Sequence, residues 1–140
     1  MISLDDIRAS LPQSYPFLLI DAVEEVKEGE SLVAIKNITA NEWPFAGRSA
    51  GNEHFPETLV IEAAAQAALL FYRCVLHPTE KNLRYFIGKV EAEFCSQVYV
   101  GDCVRMRVFN CRMFGRMGLA AVDVSAGRKV ADVKFIVGTQ

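Results

Sequence analysis

Apolar and polar positions along the chain change period several times, and each change predicts an element. Leu4, Ile7 and Leu11 share one helical face, Ser3 is placed to cap it, and Asp6 follows three residues on. Leu11-Pro12 ends this short helix, because a residue before proline is driven out of the α region. Residues 17–26 and 31–40 read as a hairpin joined at Lys27-Glu28-Gly29-Glu30. Residues 41–56, with Trp43, Gly47 and Gly51, read as a long loop, and loops of that length inside a domain are often functional. Residues 57–76 form one long helix, opened by Pro56 and an acidic first turn and stopped at His77-Pro78. The helix is apolar on nearly every side, which predicts burial all round.

Four strand-like segments follow, at 83–100, 102–114, 117–125 and 129–137, with breaks at Gly101-Asp102, Gly115-Arg116 and Ala126-Gly127. Val90, Ala92 and Phe94 alternate with Lys89, Glu91 and Glu93. Val104, Met106 and Val108 alternate with Arg105 and Arg107, and Ala131, Val133, Phe135 and Val137 form a third inward set. The sheet is therefore covered on one side and polar on the other. Short connections imply an antiparallel meander, with two strands before the helix and four after. A curled six-stranded antiparallel sheet wrapped around one long buried helix is an α+β class fold, the hot-dog architecture, and residues 1–140 make one such domain. An open edge strand invites pairing with a second copy, so a dimer is expected.

Composition narrows the function. Half of the residues are apolar (51%), 23% are charged and the net charge is −2, which argues against an electrostatic nucleic-acid binder, since such a protein needs a basic face. The acidic start, Met1 to Asp6, lacks the layout of a signal peptide. The apolar run 59–75 is interrupted by Glu62, Gln66 and Arg73, against a membrane span. The cysteines at 74, 95, 103 and 111 form no C-x-x-C, and only His54 and His77 are available as imidazole ligands. Free thiols packed as small hydrophobes in a reducing cytoplasm are expected, with no metal and no cofactor.

Two polar residues do not fit the core. Glu62 and Gln66 lie four apart on one face of an alanine-rich helix. A carboxylate there is costly unless it is paired or lines a cavity, and the surrounding alanines leave room for a channel. The helix start at Pro56 offers N–H groups to a polarised carbonyl, and the glycines before it allow close approach to backbone.

The residues carry a resemblance. Leu11-Pro12-Gln13-Ser14-Tyr15-Pro16-Phe17-Leu18-Leu19-Ile20-Asp21 resembles the L-P-H-R-Y-P-F-L-L-I-D motif of the (3R)-hydroxyacyl-acyl-carrier-protein dehydratases of fatty-acid synthesis. Asn41-Glu42 with Phe45 and Gly47 is similar to N-E-x-x-F-x-G, Ile61 to Ala67 to I-E-A-x-A-Q-A, and Val100-Gly101-Asp102 to P-G-D. The resemblance covers nearly the whole chain. It implies a hot-dog fold, a dimer or trimer of dimers, and an acyl thioester, linked to acyl-carrier protein or coenzyme A, in a tunnel between subunits. It also implies an active site made of a histidine on one subunit and a glutamate on the partner's helix, to which Glu62 corresponds, with Gln66 as its companion.

The departures matter as much. The family's histidine opens G-H-F-P-G and lies fourteen positions before the glutamate. His54-Phe55-Pro56 lies only eight before Glu62, whereas the distance from Asn41 to Glu62 needs no gap. Aligned so, Gly47, Gly51 and Pro56 meet family positions, the histidine becomes Arg48, and the histidine of the N-terminal motif becomes Gln13. Arginine keeps its proton and is no base. Glu62 and a displaced His54 are therefore the expected catalytic residues, with Arg48, Gly51, Pro56 and Gln66 expected at the substrate. Three functions follow: a dehydratase that uses His54, a thioesterase working through Glu62 alone, and a non-catalytic acyl-binding subunit paired with an active paralogue.

Overall fold

The computed structural model describes residues 1–46 and 53–140. Helix α1 (Leu4–Ser10) carries the expected capping box: the Asp6 amide donates to Ser3 Oγ, and the Ser3 amide to Asp6. Strands β1 (Ala22–Lys27) and β2 (Ser31–Asn37) form the hairpin. A 3₁₀ turn at Trp43–Phe45 and a short strand β3 (His54–Phe55) lie within the predicted loop. Helix α2 (Glu57–Phe71) continues into a π-turn at Tyr72–Leu76. Then come β4 (Tyr85–Phe94), β5 (Val98–Tyr99), β6 (Cys103–Phe114), β7 (Met117–Ser125) and β8 (Lys129–Thr139). The predicted 83–100 strand is thus two strands, broken where the Cys95 and Ser96 amides both turn to the Val130 carbonyl.

The main sheet is six-stranded and antiparallel, in the order β1-β2-β6-β7-β8-β4, and β3 pairs with β5 separately. This corrects the simple meander. β4 does not follow β2 but joins β8 at the opposite edge, and β6 fills the place beside β2. The length of the helical segment explains it. Twenty residues at about 1.5 Å each make roughly 30 Å, while six strands spaced about 4.8 Å apart are roughly 24 Å wide. A helix lying across the concave face delivers the chain to the far edge.

Alternation holds in the central strands. Val104, Met106 and Val108 are buried beneath α2, as are Ala131, Val133, Phe135 and Val137. Gly115 and Gly127 sit at positive φ (63° and 71°) in two of the predicted breaks, where a side chain would be strained. Strand β4 departs from expectation: Val90 is 41% exposed and Ala92 is exposed too, because at this edge of the sheet no element among the described residues covers their face. Burial of α2 is also incomplete. Val60, Ala63, Ala64, Ala67, Ala68 and Leu70 are buried, but Glu62, Ala65, Leu69 and Arg73 form a half-buried stripe facing the β4 side. The 20-residue segment Glu57–Leu76, with mean hydropathy 1.6, has the length and composition of a membrane span, yet it is the core helix of this sheet.

Candidate active site

Glu62 lines an apolar groove of about 150 Å³ between α2 and the start of β4. Ala65, Ala68, Leu69, Ile87 and Val137 line it, with Pro12 and Gln13 beside Glu62 and Tyr85 on the β4 side. Small residues on α2 leave this space open, as the alanine run predicts.

Gln66 is 1% exposed, and both ends of its amide are engaged within the chain. Its Oε1 accepts from the Leu19 amide (2.8 Å), and its Nε2 donates to the Phe17 carbonyl (2.7 Å) and to Glu62 Oε1 (3.0 Å). It therefore clamps the 17–19 segment to the helix and fixes Glu62. Gln13 Nε2 donates to the same Glu62 oxygen at 3.4 Å. An amide turned the other way would set two oxygens against each other, so Gln13 Oε1 is left buried and without a partner. Glu62 Oε1 is thus anchored, while Oε2 has no hydrogen-bond partner among the described residues.

His54 does not line this groove. Its Nε2 lies 3.3 Å from Glu57 Oε1 at the start of α2, and its side chain is 34% exposed. Pro56 opens α2, its carbonyl accepting from the Leu59 and Val60 amides, and it too lies outside the groove lining. Arg48 and Gly51 lie outside the described residues. Just before them, buried Lys36 holds the loop base: its Nζ donates to Glu42 Oε1 and to the Asn37 carbonyl, both at 2.8 Å, with Asp21 at 3.7 Å. Asp102 of the V-G-D motif ties the turn before β6. It accepts from the Tyr99 amide (2.8 Å) and from Arg128 (2.9 Å), and the Arg128 hydrogen bond holds its carboxyl below the usual range.

Sequence reasoning noted Gln13 only as a missing histidine and did not find Tyr85. Both reach the site through contacts between distant segments, which no local pattern announces. The thiols fit only half of their expectation. Cys74 and Cys111 pack against the core, and burial pushes the Cys111 thiol up to about 12, but Cys95 and Cys103 are exposed. Among the described residues no cluster of His, Cys, Asp and Glu is arranged to hold a metal.

A curled sheet around one helix, with an acid in the lining of an apolar groove, is the hot-dog arrangement. A family profile described as a FabA-like domain matches residues 11–137, and the chain belongs to that family. It is 38% identical over 136 residues to the 3-hydroxyacyl-acyl-carrier-protein dehydratase FabZ of Halalkalibacterium halodurans, covering 95% of this chain and 89% of that protein. It is also 38% identical over 141 residues to FabZ of Enterococcus faecalis, covering 98% and 99%. Among solved structures, the dehydratase heterocomplex ApeI:P from Xenorhabdus doucetiae shares the fold, with a TM-score of 0.75 at 13% identity over 96% of this chain and 90% of that one. A hypothetical thioesterase from Streptococcus pneumoniae does so with a TM-score of 0.62 at 14% identity, over 85% and 89%.

Proposed function

We propose that the groove beside Glu62 takes the acyl group of a 3-hydroxyacyl thioester, carried by acyl-carrier protein or coenzyme A, and that Glu62 is the acid–base residue for loss and addition of water. The observation that carries this reading is the carboxylate held by two amides in the lining of an apolar groove, with one oxygen unpartnered among the described residues. Dehydration breaks a C2–H bond and a C3–O bond. Glu62 in its acid form protonates the departing C3 oxygen, and a base takes the C2 proton. Arg48 stands where the family has its histidine and cannot be that base. It serves as a fixed positive charge, and the base comes from His54 of a second copy.

The homo-oligomer follows from β4. Its outer ladder is open and both its faces are exposed. Two copies paired antiparallel about a two-fold axis bring Lys89 of one against Glu91 or Glu93 of the other, and they cover Val90 and the groove.

The test follows the enoyl-thioester absorbance during hydration. We expect activity in the unaltered protein, its loss in Glu62→Gln, and a reduction of 10²-fold or more in His54→Ala, on the scale of a lost general base. Undiminished hydration in Glu62→Gln overturns the reading. A second reading is favoured by the absence of any histidine from the groove lining among the described residues. In it Glu62 alone hydrolyses the thioester, and thiol release without hydration identifies it. Acyl binding with neither reaction, and hydration gained in Arg48→His, identifies a non-catalytic subunit of the same cytoplasmic acyl metabolism. Native mass spectrometry then shows whether its partner is a paralogue.

A further inference from the structure

The second histidine takes no part in the reading above, yet it is more tightly engaged than the first. Helix α2 does not end as an α-helix. It widens into the π-turn Tyr72–Leu76, closed by the His77 amide donating to the Tyr72 carbonyl at 2.8 Å. Such turns are rare and recur at functional sites. The widening sets the rings of Tyr72 and His77 nearly parallel (23°), with centroids 6.4 Å apart. The ring of Tyr85 joins them, 6.3 Å from His77 at 16° and 5.7 Å from Tyr72. His77 Nδ1 is 2.7 Å from the Tyr85 hydroxyl, and the Arg73 guanidinium lies over the Tyr85 ring at 5.2 Å. Tyr72 is itself fixed, donating to the Leu119 carbonyl at 2.5 Å.

Tyr85 is the one member of this stack that also lines the Glu62 groove. His77 and Arg73 instead line a separate polar cleft of about 260 Å³, together with Asp6 and Lys81. The ring is therefore a partition, gripped from the cleft side and bare on the groove side. The backbone at the start of β4 is held by β8, through the Tyr85–Thr139 pair and the two Arg84–Gln140 hydrogen bonds, so the freedom left to the ring is that of its side-chain torsions.

We propose that His77 is a positioning residue that holds the Tyr85 ring back as a side wall of the acyl groove, so that the groove stays open for its ligand. The inference rests on the acyl-thioester reading of that groove. Without the hydrogen bond the ring turns into the groove and competes with the acyl chain. The net worth of one such bond corresponds to a change of about five- to tenfold in an equilibrium constant.

The experiment measures binding and hydration of one enoyl thioester by the full chain. In His77→Phe, which keeps an aromatic ring but no hydrogen-bonding nitrogen, KM and Kd are expected to rise, by at most about five- to tenfold, with kcat unchanged. Tyr85→Phe is expected to behave alike, and the two together no worse than either, since both remove the same bond. The deciding variant is His77→Phe combined with Tyr85→Ala. With no ring left to swing in, binding recovers at least to that of the unaltered protein. Failure of that recovery, or unchanged binding in His77→Phe, overturns the proposal. Should the unaltered protein bind no acyl thioester, the functional reading fails instead. The latch is then judged by the His77 ¹⁵N shift, which moves on Tyr85→Phe if the bond exists and stays if it does not.

Discussion

Replacing Gln66 by leucine separates a structural clamp from a ligand contact. The two side chains are similar in size, so the helix keeps its packing and only the hydrogen bonds go. The Leu19 amide loses its acceptor in a place where Leu19 itself is 2% exposed. An orphaned buried donor costs roughly 1–3 kcal/mol. The Phe17 carbonyl and Glu62 each lose a donor, but both sit near water and recover part of the loss, at about 1 kcal/mol each. The more apolar leucine returns about 1 kcal/mol of burial. The net destabilisation is about 3 kcal/mol, a large share of the roughly 5–15 kcal/mol that holds a domain together. In urea, with a slope of about 2 kcal/mol per molar, the midpoint falls by about 1.5 M at unchanged slope. A loss below about 1 kcal/mol, with weakened acyl binding as the main effect, would refute the clamp and make Gln66 a ligand contact.

The Asp102–Arg128 pair predicts a pH dependence. The hydrogen bond from Arg128 lowers the Asp102 pKa on folding, so its stabilisation is present above the unfolded value near 3.9 and is lost as pH falls through the lower folded value. Denaturation curves between pH 5 and 2 should therefore be steeper in the unaltered protein than in Asp102→Asn; equal slopes would contradict the pairing. Thiol labelling should proceed in two classes. Exposed Cys95 and Cys103 react promptly, whereas half-buried Cys111, its pKa pushed up to about 12, reacts much more slowly, and labelling of Cys111 at the rate of Cys95 shown by peptide mapping would contradict this. Val90→Glu, on the exposed edge strand, should change the single chain's stability little but shift sedimentation from dimer to monomer, and a dimer that persists at micromolar concentration argues against β4 as the interface.

The parts of this fold visible in the chain are those whose causes are local. Ser3 and Asp6 close a capping box within one turn, Gly115 and Gly127 mark hairpins where φ must be positive, and the alternation in β6 and β8 follows the pleat directly. Strand order was not visible, because it depends on where α2 delivers the chain, and a helix's length across a sheet is a three-dimensional quantity. The exposure of Val90 and Ala92 was hidden for a related reason: alternation reports which face a residue takes but not whether anything covers it. Gln66 shows the same limit at the site. Its place among alanines marked it as out of keeping, but the partners that explain it are the backbone of Phe17 and Leu19, 47 to 49 residues away.

Of the two positions that the proposed reading sets apart from the family, Gln13 and Arg48, only Gln13 is among the described residues. At the N-terminal motif an amide, Gln13, stands in place of an imidazole, and it meets the same carboxylate oxygen that Gln66 holds. Both supports of Glu62 are therefore neutral groups that hold a proton acceptor in place without exchanging a proton. On the proposed reading Arg48 takes the place of the second histidine, and the proton of the reaction passes through Glu62 Oε2. Restoring one imidazole therefore does not reproduce restoring the other. On that reading Arg48→His supplies a base, while Gln13→His supplies only a charge against Glu62 Oε1. Hydration gained in Arg48→His should be unaffected by whether position 13 carries glutamine or histidine at pH values where a position-13 imidazole is neutral, and should diverge between the two only as that imidazole gains its proton. An equal gain from Gln13→His alone would place the base on the helix side and reverse the assignment of roles.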